Sequence, residues 1–285
     1  MNIEKELYTG LIPKMSCKDY TVSQESYELL LNTDYDMMVT LPVPPDLENY
    51  YKSETYISHT DSSKNLIDKV YQRVRNHTMQ KKYALIDSFN TPGKKLLDVG
   101  SGTGDFLLTC KSKGWTVFGV EPSNEARIIS KEKKVSVCKD LDSLSENSFD
   151  VITLWHVLEH VENLQSYISQ LQRKLKPEGV IVIAVPNYKS FDANHYKEFW
   201  AAFDVPRHLW HFSQTSIQKL FKKISMNVEK TLPMKFDSYY VSILSEKYKS
   251  GRTNYLKAFW IGFLSNLKAR STSEYSSLIY VLKNK

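Results

Sequence analysis

The chain has 285 residues, 41% of them hydrophobic and 25% charged, which are the proportions of an ordinary globular protein. Its net charge is +6 and it contains no long basic run, so the sequence has no concentrated basic stripe for nucleic acid. Three scattered cysteines are too few for a disulfide framework or a complete zinc site. The polar N-terminus does not resemble a signal peptide and no apolar run reaches about 18 residues, so we expect a cytoplasmic protein without a transmembrane segment.

Residues 1–60 form a segment that is poor in glycine and is interrupted by a proline-rich turn at 42–45. This segment is too short to bury a core of its own. We therefore expect a small N-terminal extension, with a strand at 27–31, followed by a main domain over residues 61–285. The main domain begins with a predicted helix over 62–89, where apolar residues recur at helical spacing.

Short apolar runs alternate with helical patterns through the middle of the chain. This alternation predicts an α/β fold with a doubly wound, Rossmann-like sheet, whose ligands bind beyond the carboxyl ends of the strands. The predicted strands cover residues 96–99, 115–120, 135–138, 149–154 and 179–185. Helices are expected between them at 123–133 and 163–175. After an irregular insertion at about 187–215, we expect a helix over 216–224, strands over 227–233 and 238–244, an apolar helix over 255–267 and a closing strand over 278–282.

Three glycines at alternate positions, Gly100, Gly102 and Gly104, follow the first of these strands and precede a helix. Without Cβ atoms the backbone can approach a ligand closely, and the free N–H groups at the helix start face it. The spacing differs from that of dinucleotide binders because Asp105 occupies the last position, where an acidic side chain disfavours a pyrophosphate. The loop therefore suits a nucleoside without phosphates, and a purely structural glycine turn is the alternative.

Carboxylates stand at the ends of the next two predicted strands. Glu121 follows Gly100 by 21 residues, and at this place in a nucleotide-binding βαβ unit a carboxylate accepts hydrogen bonds from both ribose hydroxyls. Asp140 ends the third strand on the same edge, where a carboxylate can accept from an adenine amine. An exposed loop carboxylate is the alternative for each, and for Asp140 the two interpretations stay open.

Four motifs lie in order along the middle of the chain: LDVGSGTG at 97–104, VEPS at 120–123, FDVI running into WHVLEHV at 149–161, and LKPEG at 175–179. Together they resemble the class I S-adenosylmethionine-dependent methyltransferase family. The resemblance implies S-adenosylmethionine as the cofactor and a seven-stranded sheet whose last strand is antiparallel. In that family the glycine loop wraps the methionine part, the glutamate holds the ribose, and the end of the fourth strand lies beside the sulfonium. The cofactor-binding residues so implied are Asp98, Gly100, Ser101, Gly102, Thr103, Gly104, Glu121, Pro122, Asp140, Leu141, Trp155 and His156.

The segment from His156 to His160 also matches the His-x-x-Glu-His pattern of a zinc peptidase class. It begins directly off a buried strand of a nucleotide-binding sheet, so we favour one pocket histidine and one helix histidine over a metal site.

The N-terminal extension is similar to that of related enzymes, which often begin with a zinc ribbon of two Cys-x-x-Cys pairs. Asn32 and Tyr35 stand where one pair is expected, and Cys17 is the only cysteine elsewhere in the extension. Because a tetrahedral zinc needs four ligands, we predict a degenerate, metal-free ribbon. Tyr56 and His59 are expected either to fold over the cofactor pocket or to pack in the core.

The insertion at about 187–215 follows a strand end that faces the cofactor. Its Asp-x-Pro-Arg-His-Leu-x-His-Phe segment, from Asp204 onward, is similar to a motif of bacterial small-molecule methyltransferases, many of them associated with cell-surface sugars or secondary metabolites. Methyl transfer to oxygen needs removal of a proton, for which histidine has a suitable pKa. We expect His208 as the general base, with Asp204 or Arg207 orienting the substrate. Alternatively, Arg207 pairs with Asp204 and the histidines bind loop carbonyls.

These features predict a methyltransferase that acts on an oxygen of a small-molecule acceptor such as a sugar or secondary metabolite. RNA methylation and cofactor binding without catalysis are the alternatives. The apolar helix at 255–267 is expected to pack on the sheet, and a lid over the acceptor, a membrane contact or a homodimer contact are its other interpretations.

Overall fold

A seven-stranded mixed sheet forms the centre of the protein, whose computed structural model describes residues 4–51 and 66–285, the side chains of 66–72 excepted. Numbered in chain order, its strands lie side by side as β6 (Ser136–Cys138), β5 (Thr116–Val120), β4 (Lys95–Val99), β7 (Phe149–Trp155), β8 (Leu175–Pro186), β11 (Ser277–Asn284) and β10 (Met226–Pro233). Neighbours from β6 to β8 are parallel, whereas β11 is antiparallel to both β8 and β10. The predicted Rossmann-like sheet with an antiparallel last strand is confirmed.

The inner strand β8 is buried on both faces over most of its length, as expected for a strand flanked by neighbours and covered by helices. Its side chains alternate between two apolar clusters, with Val180 and Val182 in one and Ile181 and Ile183 in the other. The first cluster includes residues of α2 (Leu66–Asp87) and α3 (Asp105–Lys111), and the second includes residues of α5 (Leu164–Lys174) and α7 (Gln214–Lys222). One further helix, α4 (Asn124–Glu132), follows β5. The sheet thus has a packed core on each face.

A second, four-stranded antiparallel sheet joins the N-terminal extension to the insertion. After the short helix α1 (Glu4–Leu7), the extension supplies β1 (Leu11–Lys18), β2 (Ser26–Asn32) and β3 (Met37–Leu41). The fourth strand is β9 (Trp210–His211), which comes from the insertion and pairs with β3. Beside it, the Thr40 amide donates to the Leu209 carbonyl at 3.0 Å. The extension therefore holds the insertion in place. Tyr56 and His59 lie outside the described residues.

Asn32 joins the N-terminal helix α1 to the β2–β3 turn by hydrogen bonds, at a position where the resemblance places a zinc-binding cysteine. Its side chain is almost fully buried, and its Nδ2 donates to the carbonyls of Glu6 and Leu7, both at 3.1 Å. Its Oδ1 accepts from the Tyr35 amide at 3.0 Å. These hydrogen bonds close the β2–β3 turn with protein groups alone, in a place where a zinc ribbon would use metal–sulfur bonds.

The expected strand over 238–244 is wrong, because residues 237–250 form the helix α8 (Asp237–Ser250). The aromatic and β-branched residues of this stretch suggest a strand, but its buried positions include Ser238, Ser242 and Ser245, which recur at helical spacing. Gly251, with φ 72°, ends the helix in the left-handed conformation. The next helix, α9 (Tyr255–Thr272), packs against α8, and the two form a helical hairpin between β10 and β11.

The remaining helical elements lie in the insertion and around it. They are α6 (Phe191–Tyr196) and the 3₁₀ turns Leu47–Tyr51, Leu158–His160, Lys197–Phe199 and Ala201–Phe203.

Replacing the buried Asn32 by alanine leaves two carbonyls and one amide without their partner. We expect Asn32→Ala to lower the free energy of unfolding by about 1–3 kcal/mol. Urea denaturation followed by circular dichroism measures this loss. The control is Asn227→Ala on the exposed face of β10, which should change stability by less than about 0.5 kcal/mol. Equal, small effects of both substitutions would contradict the assigned role of Asn32.

Candidate active site

Strand register brings the predicted cofactor residues to one edge of the central sheet. Val99 of β4 lies opposite Val120 of β5 and Leu154 of β7. The residues that follow these three positions are Gly100, Glu121 and Trp155, and they leave the sheet side by side at its carboxyl edge.

The glycine loop between β4 and α3 is shaped by backbone conformations that favour glycine. Gly100, Gly102 and Gly104 have φ values of 69°, 52° and 78°. A Cβ on Gly100 would lie 2.3 Å from Val157 Cγ2, so no larger residue fits there. Gly102 has open space around its Cα, as expected of a backbone segment that faces a ligand. The amides of Gly100 and Ser101 both donate to the Val120 carbonyl, which fixes the loop to β5.

The Glu121 carboxylate bridges the glycine loop and the turn after β5. Its Oε2 accepts from the Gly102 amide at 2.8 Å, and its Oε1 accepts from the Ser123 amide at 2.9 Å. A carboxylate has about four lone-pair sites, so each oxygen keeps the capacity to accept a further hydroxyl. This geometry is compatible with the predicted ribose contact.

Asp98 is buried directly before the glycine loop. Burial raises its pKa to about 7, against the opposing effects of a 2.6 Å hydrogen bond from Thr153 Oγ1 and of the positive charge of Lys82. The Lys82 ammonium lies 4.4 Å from the centre of the Trp155 ring, and burial lowers its pKa. Lys82 was not predicted from the sequence, because it stands on the helix before the first motif and only the tertiary fold brings it near Asp98.

Two polar side-chain atoms beside the loop are buried without a hydrogen-bond partner, Ser101 Oγ and Trp155 Nε1. Buried polar groups are rarely left unpaired in a complete structure. Together with the open space at Gly102, these atoms fit a polar ligand held against the carboxyl edge of the sheet.

The other predicted cofactor residues differ in their surroundings. Asp140 is exposed, and its Oδ1 accepts from the Asp142 amide at 3.2 Å. Leu141 is 2% exposed and belongs to the core, so its side chain serves packing. The Pro122 carbonyl accepts from the Arg127 guanidinium, and Thr103 Oγ1 donates to Asp105. The contacts of these residues with adenine or methionine stay a prediction.

His156 sits at the end of β7 between two carboxylates. Its Nδ1 lies 3.3 Å from Glu159 Oε1, and its Nε2 lies 3.1 Å from Asp237 Oδ2. Burial disfavours the charged imidazole, but hydrogen bonds to both carboxylates outweigh it and raise the pKa of His156 to about 10. The ring is therefore positively charged at neutral pH. Asp237 was missed by the sequence analysis, which placed its neighbours in a strand.

The insertion brings Asp204, Arg207 and His208 together. Arg207 donates to both carboxylate oxygens of Asp204. Its Nε donates to Oδ2 at 2.9 Å, and its Nη2 donates to Oδ1. His208 Nδ1 lies 2.9 Å from the Ala202 carbonyl, and its Nε2 lies 3.8 Å from Asp204 Oδ2. Arg207 thus pairs with Asp204, and His208 contacts a loop carbonyl. These are the contacts that the sequence analysis gave as the alternative to a catalytic role. The catalytic role of the three residues stays a prediction.

The insertion is docked on the turn that follows β7. The Leu209 amide donates to the Glu159 carbonyl at 2.8 Å, and His160 Nδ1 lies 3.0 Å from the Arg207 carbonyl. Trp210 Nε1 donates to the Val161 carbonyl at 2.6 Å. The predicted catalytic residues therefore adjoin the segment that carries His156.

Glu159, His160 and His208 form the one group of three potential metal ligands that the described part of the chain contains, with ligand atoms within 4.8 Å of one another. Glu159 Oε2 is buried without a hydrogen-bond partner, whereas both histidines direct Nδ1 at backbone carbonyls. Burial is the main cause that lowers the pKa of His160 to about 4, so this ring is neutral at pH 7. The predicted absence of a metal stays a prediction.

Comparison with known proteins agrees with this geometry. A family model of methyltransferase domains matches residues 71–231, more than half of the chain. The chain belongs to the class I S-adenosylmethionine-dependent methyltransferase family. S-adenosylmethionine is the cofactor of this family, and the residues at the carboxyl edge of the sheet fit that group.

Three similar proteins illustrate the relationship. The ubiquinone biosynthesis O-methyltransferase of Pseudomonas syringae is 34% identical over 108 residues, which cover 34% of this chain and 47% of the relative. The demethylmenaquinone methyltransferase of Staphylococcus aureus is 30% identical over 154 residues, covering 46% and 64%. The magnesium protoporphyrin IX methyltransferase of Synechocystis, solved with bound SAH, has a TM-score of 0.56 at 16% identity, covering 83% and 97%. The match thus spans less than two thirds of the length of these two curated relatives.

Removing the bridging carboxylate should weaken cofactor binding. We expect Glu121→Ala to lower the affinity for S-adenosylmethionine by about 1–3 kcal/mol, because ribose hydroxyls and the Gly102 amide lose an acceptor. Calorimetric titration measures the change. Glu125→Ala, which removes an exposed glutamate at the second position of α4, is the matched control and should bind as the native protein does. Unchanged affinity in Glu121→Ala would exclude the ribose assignment.

The raised pKa of Asp98 predicts a pH-dependent stability. In the native state the carboxyl group keeps its proton up to about pH 7, whereas in the unfolded chain it loses the proton near its ordinary pKa of 3.8. The unfolded state is therefore favoured increasingly as the pH rises from about 4 to 7. Across this range we expect the unfolding free energy of the native protein to fall relative to that of Asp98→Asn. Denaturant titrations at several pH values measure this, and a constant difference between the two proteins would contradict the buried, protonated state.

Proposed function

We propose that this methyltransferase transfers the methyl group to an oxygen of a small-molecule acceptor, such as the hydroxyl of a secondary metabolite or of a sugar. The observation that carries the proposal is the polar lining of the insertion, which brings Asp204, Arg207 and His208 against the segment after β7. The O-methyltransferase name of the Pseudomonas syringae relative supports oxygen as the accepting atom.

Cofactor binding is assigned to the edge formed by the glycine loop, Glu121 and Trp155. When bound there, S-adenosylmethionine would supply an electrophilic methyl group. The Glu121 carboxylate and the open backbone at Gly102 hold the ligand in place. Lys82 adds a positive charge near Asp98, where it suits the carboxylate of the methionine part.

His208 is assigned as the base that accepts the proton of the acceptor hydroxyl. A carbonyl oxygen only accepts hydrogen bonds, so the contact with Ala202 requires a hydrogen on Nδ1. A neutral ring then has its lone pair on Nε2, the nitrogen on the side of Asp204. The Asp204 carboxylate stabilises the imidazolium that forms, and Arg207 holds that carboxylate in position.

His156 is assigned a different role, since its charged ring has no free lone pair for a proton. Both of its N–H groups donate to carboxylates, so the ring holds Glu159 and Asp237 in place at the end of β7. The base on the insertion favours oxygen acceptors over neutral amines, because a hydroxyl must lose its proton as the new bond forms.

A panel of acceptors tests the reaction class. The protein is incubated with S-adenosylmethionine carrying a deuterated methyl group and with catechols, flavonoids, nucleotide sugars, primary amines and transfer RNA. Mass spectrometry of the products should show the label on a hydroxyl oxygen of a small molecule. Label on RNA or on nitrogen would contradict the proposal, and so would cofactor binding without labelling of any compound.

Substitution of the proposed base should separate catalysis from binding. We expect His208→Ala to reduce turnover by about 10²–10⁴-fold while the affinity for S-adenosylmethionine is unchanged. The measurement is the initial rate of S-adenosylhomocysteine release with the acceptor found in the panel. His195→Ala, a histidine of α6 that the proposal does not use, is the control and should keep nearly full activity. Full activity of His208→Ala would reject it as the base.

A further inference from the structure

The outer face of helix α9 is apolar and exposed. Leu256 is 86% exposed and Trp260 56%, and three further large apolar side chains lie open to solvent beside them. We call this set the aromatic face, and its members are Leu256, Phe259, Trp260, Phe263 and Leu267. At about 100° per residue these positions fall within an arc of about 100° on one side of the helix, over a length of roughly 17 Å. Contiguous apolar patches of this kind mark interaction surfaces.

The polarity of α9 is inverted relative to an ordinary surface helix. The stripe opposite the aromatic face packs against α8 and consists mainly of small residues: Ala258, Ile261, Gly262, Ser265 and Ala269. A Cβ on Gly262 would lie 2.8 Å from the Tyr239 ring, so the two helices are in close contact. A surface helix normally buries its large apolar residues and exposes polar ones. Here the large residues lie on the outer side: Phe259 contacts the Tyr239 ring and Trp260 stacks on Phe263, yet all three stay largely exposed.

The hairpin that carries this face holds most of the net charge of the protein. Residues 237–272 contain six basic and two acidic residues, a net charge of +4 out of +6 for the whole chain. All six basic residues are exposed: Lys247, Lys249, Arg252, Lys257, Lys268 and Arg270. Both acidic residues are engaged, Asp237 with His156 at 3.1 Å and Glu246 with Lys257 at 2.9 Å. The surface around the aromatic face is therefore strongly positive.

We propose that the hairpin docks on an anionic membrane surface, with the aromatic face lying in the boundary between headgroups and acyl chains. An exposed apolar face with tryptophan and phenylalanine, flanked by lysine and arginine, is the physical pattern of an interfacial helix. Charge decides against a second copy of the chain on this face, because such contact would bring two +4 hairpins together. No helix in the described parts of the chain is long and apolar enough to cross a membrane, so the contact is interfacial.

The docking surface is continuous with the candidate active site. The hairpin begins at Asp237, whose carboxylate contacts His156 at the end of β7. An acceptor that partitions into the membrane boundary would thus be delivered to the same side of the protein. This consequence rests on the proposed function, whereas docking itself does not.

Vesicle binding tests the docking. The full chain is mixed with vesicles of phosphatidylglycerol and phosphatidylcholine in equal parts, and with phosphatidylcholine alone. We expect sedimentation with the anionic vesicles only, weakening as salt is raised. Trp260 is the most exposed of the five tryptophans, since Trp155 is only partly exposed and Trp115, Trp200 and Trp210 are nearly fully buried. Tryptophan emission should therefore shift to shorter wavelength on binding, and Trp260→Tyr should abolish the shift.

Two variants with a matched control identify the surface. We expect Phe259→Ser with Phe263→Ser to weaken vesicle binding more than 10-fold, and Lys249→Gln with Arg252→Gln to weaken it by about fivefold per charge removed. Ile128→Ser, which removes an equally exposed apolar side chain on α4, should leave vesicle binding unchanged. Unaltered calorimetric binding of S-adenosylmethionine shows that each variant is folded.

The proposal is overturned if the native chain ignores anionic vesicles or if the Phe259 and Phe263 substitutions leave binding intact. Sedimentation without vesicles provides the remaining check. The native chain could form a concentration-dependent dimer that these substitutions convert to monomer. This result would assign the aromatic face to a second copy and overturn the membrane assignment. Because vesicle binding needs no acceptor, its failure would leave the proposed methyl transfer untouched, and the reverse also holds.

Discussion

The registers of β4 with β5 and of β4 with β7 are the constraint on which the candidate site depends. Because Val99, Val120 and Leu154 lie in one row across the sheet, the loops after them emerge together. The glycine loop, Glu121 and Trp155 meet only for this reason. Hydrogen bonds from Gly102 and Ser123 to the Glu121 carboxylate then lock two of these loops to each other. A one-residue slip of any strand would turn its side chains to the other face and separate these groups.

Burial and neighbouring charges give the histidines of the site different protonation states. His156 lies between two carboxylates and is held charged, whereas His160 and His211 are buried beside His208 and have pKa values lowered to about 4 and about 3. The insertion supplies His208 and His211, and the N-terminal sheet holds the insertion through the pairing of β3 with β9. The extension therefore contributes to the site indirectly, by fixing the element that carries the proposed base.

The helical hairpin departs from the pattern by which a globular protein hides apolar surface. In α9 close helix–helix contact takes up the small residues, and the aromatic face is left outside. In natural proteins, departures from such local rules tend to occur at functional sites. The positive charge of the hairpin attracts this exposed face to an anionic surface and repels it from a second copy of the chain.

The sequence by itself determined the type of fold and the cofactor edge, because those features depend on local patterns. Alternating apolar runs predict parallel strands, and Gly100 to Gly104 with Glu121 stand at the spacing typical of a nucleotide-binding βαβ unit. The tertiary structure decided two things that local patterns leave open: the secondary structure of ambiguous segments and the grouping of distant charged residues. Residues 238–244 have the composition of a strand, yet they form a helix because α9 offers a close-packed partner to their serines. Lys82, Asp237 and His156 are far apart in the chain. The pKa values of Lys82 and His156 are shifted only because long-range packing buries these side chains and brings charged groups near them.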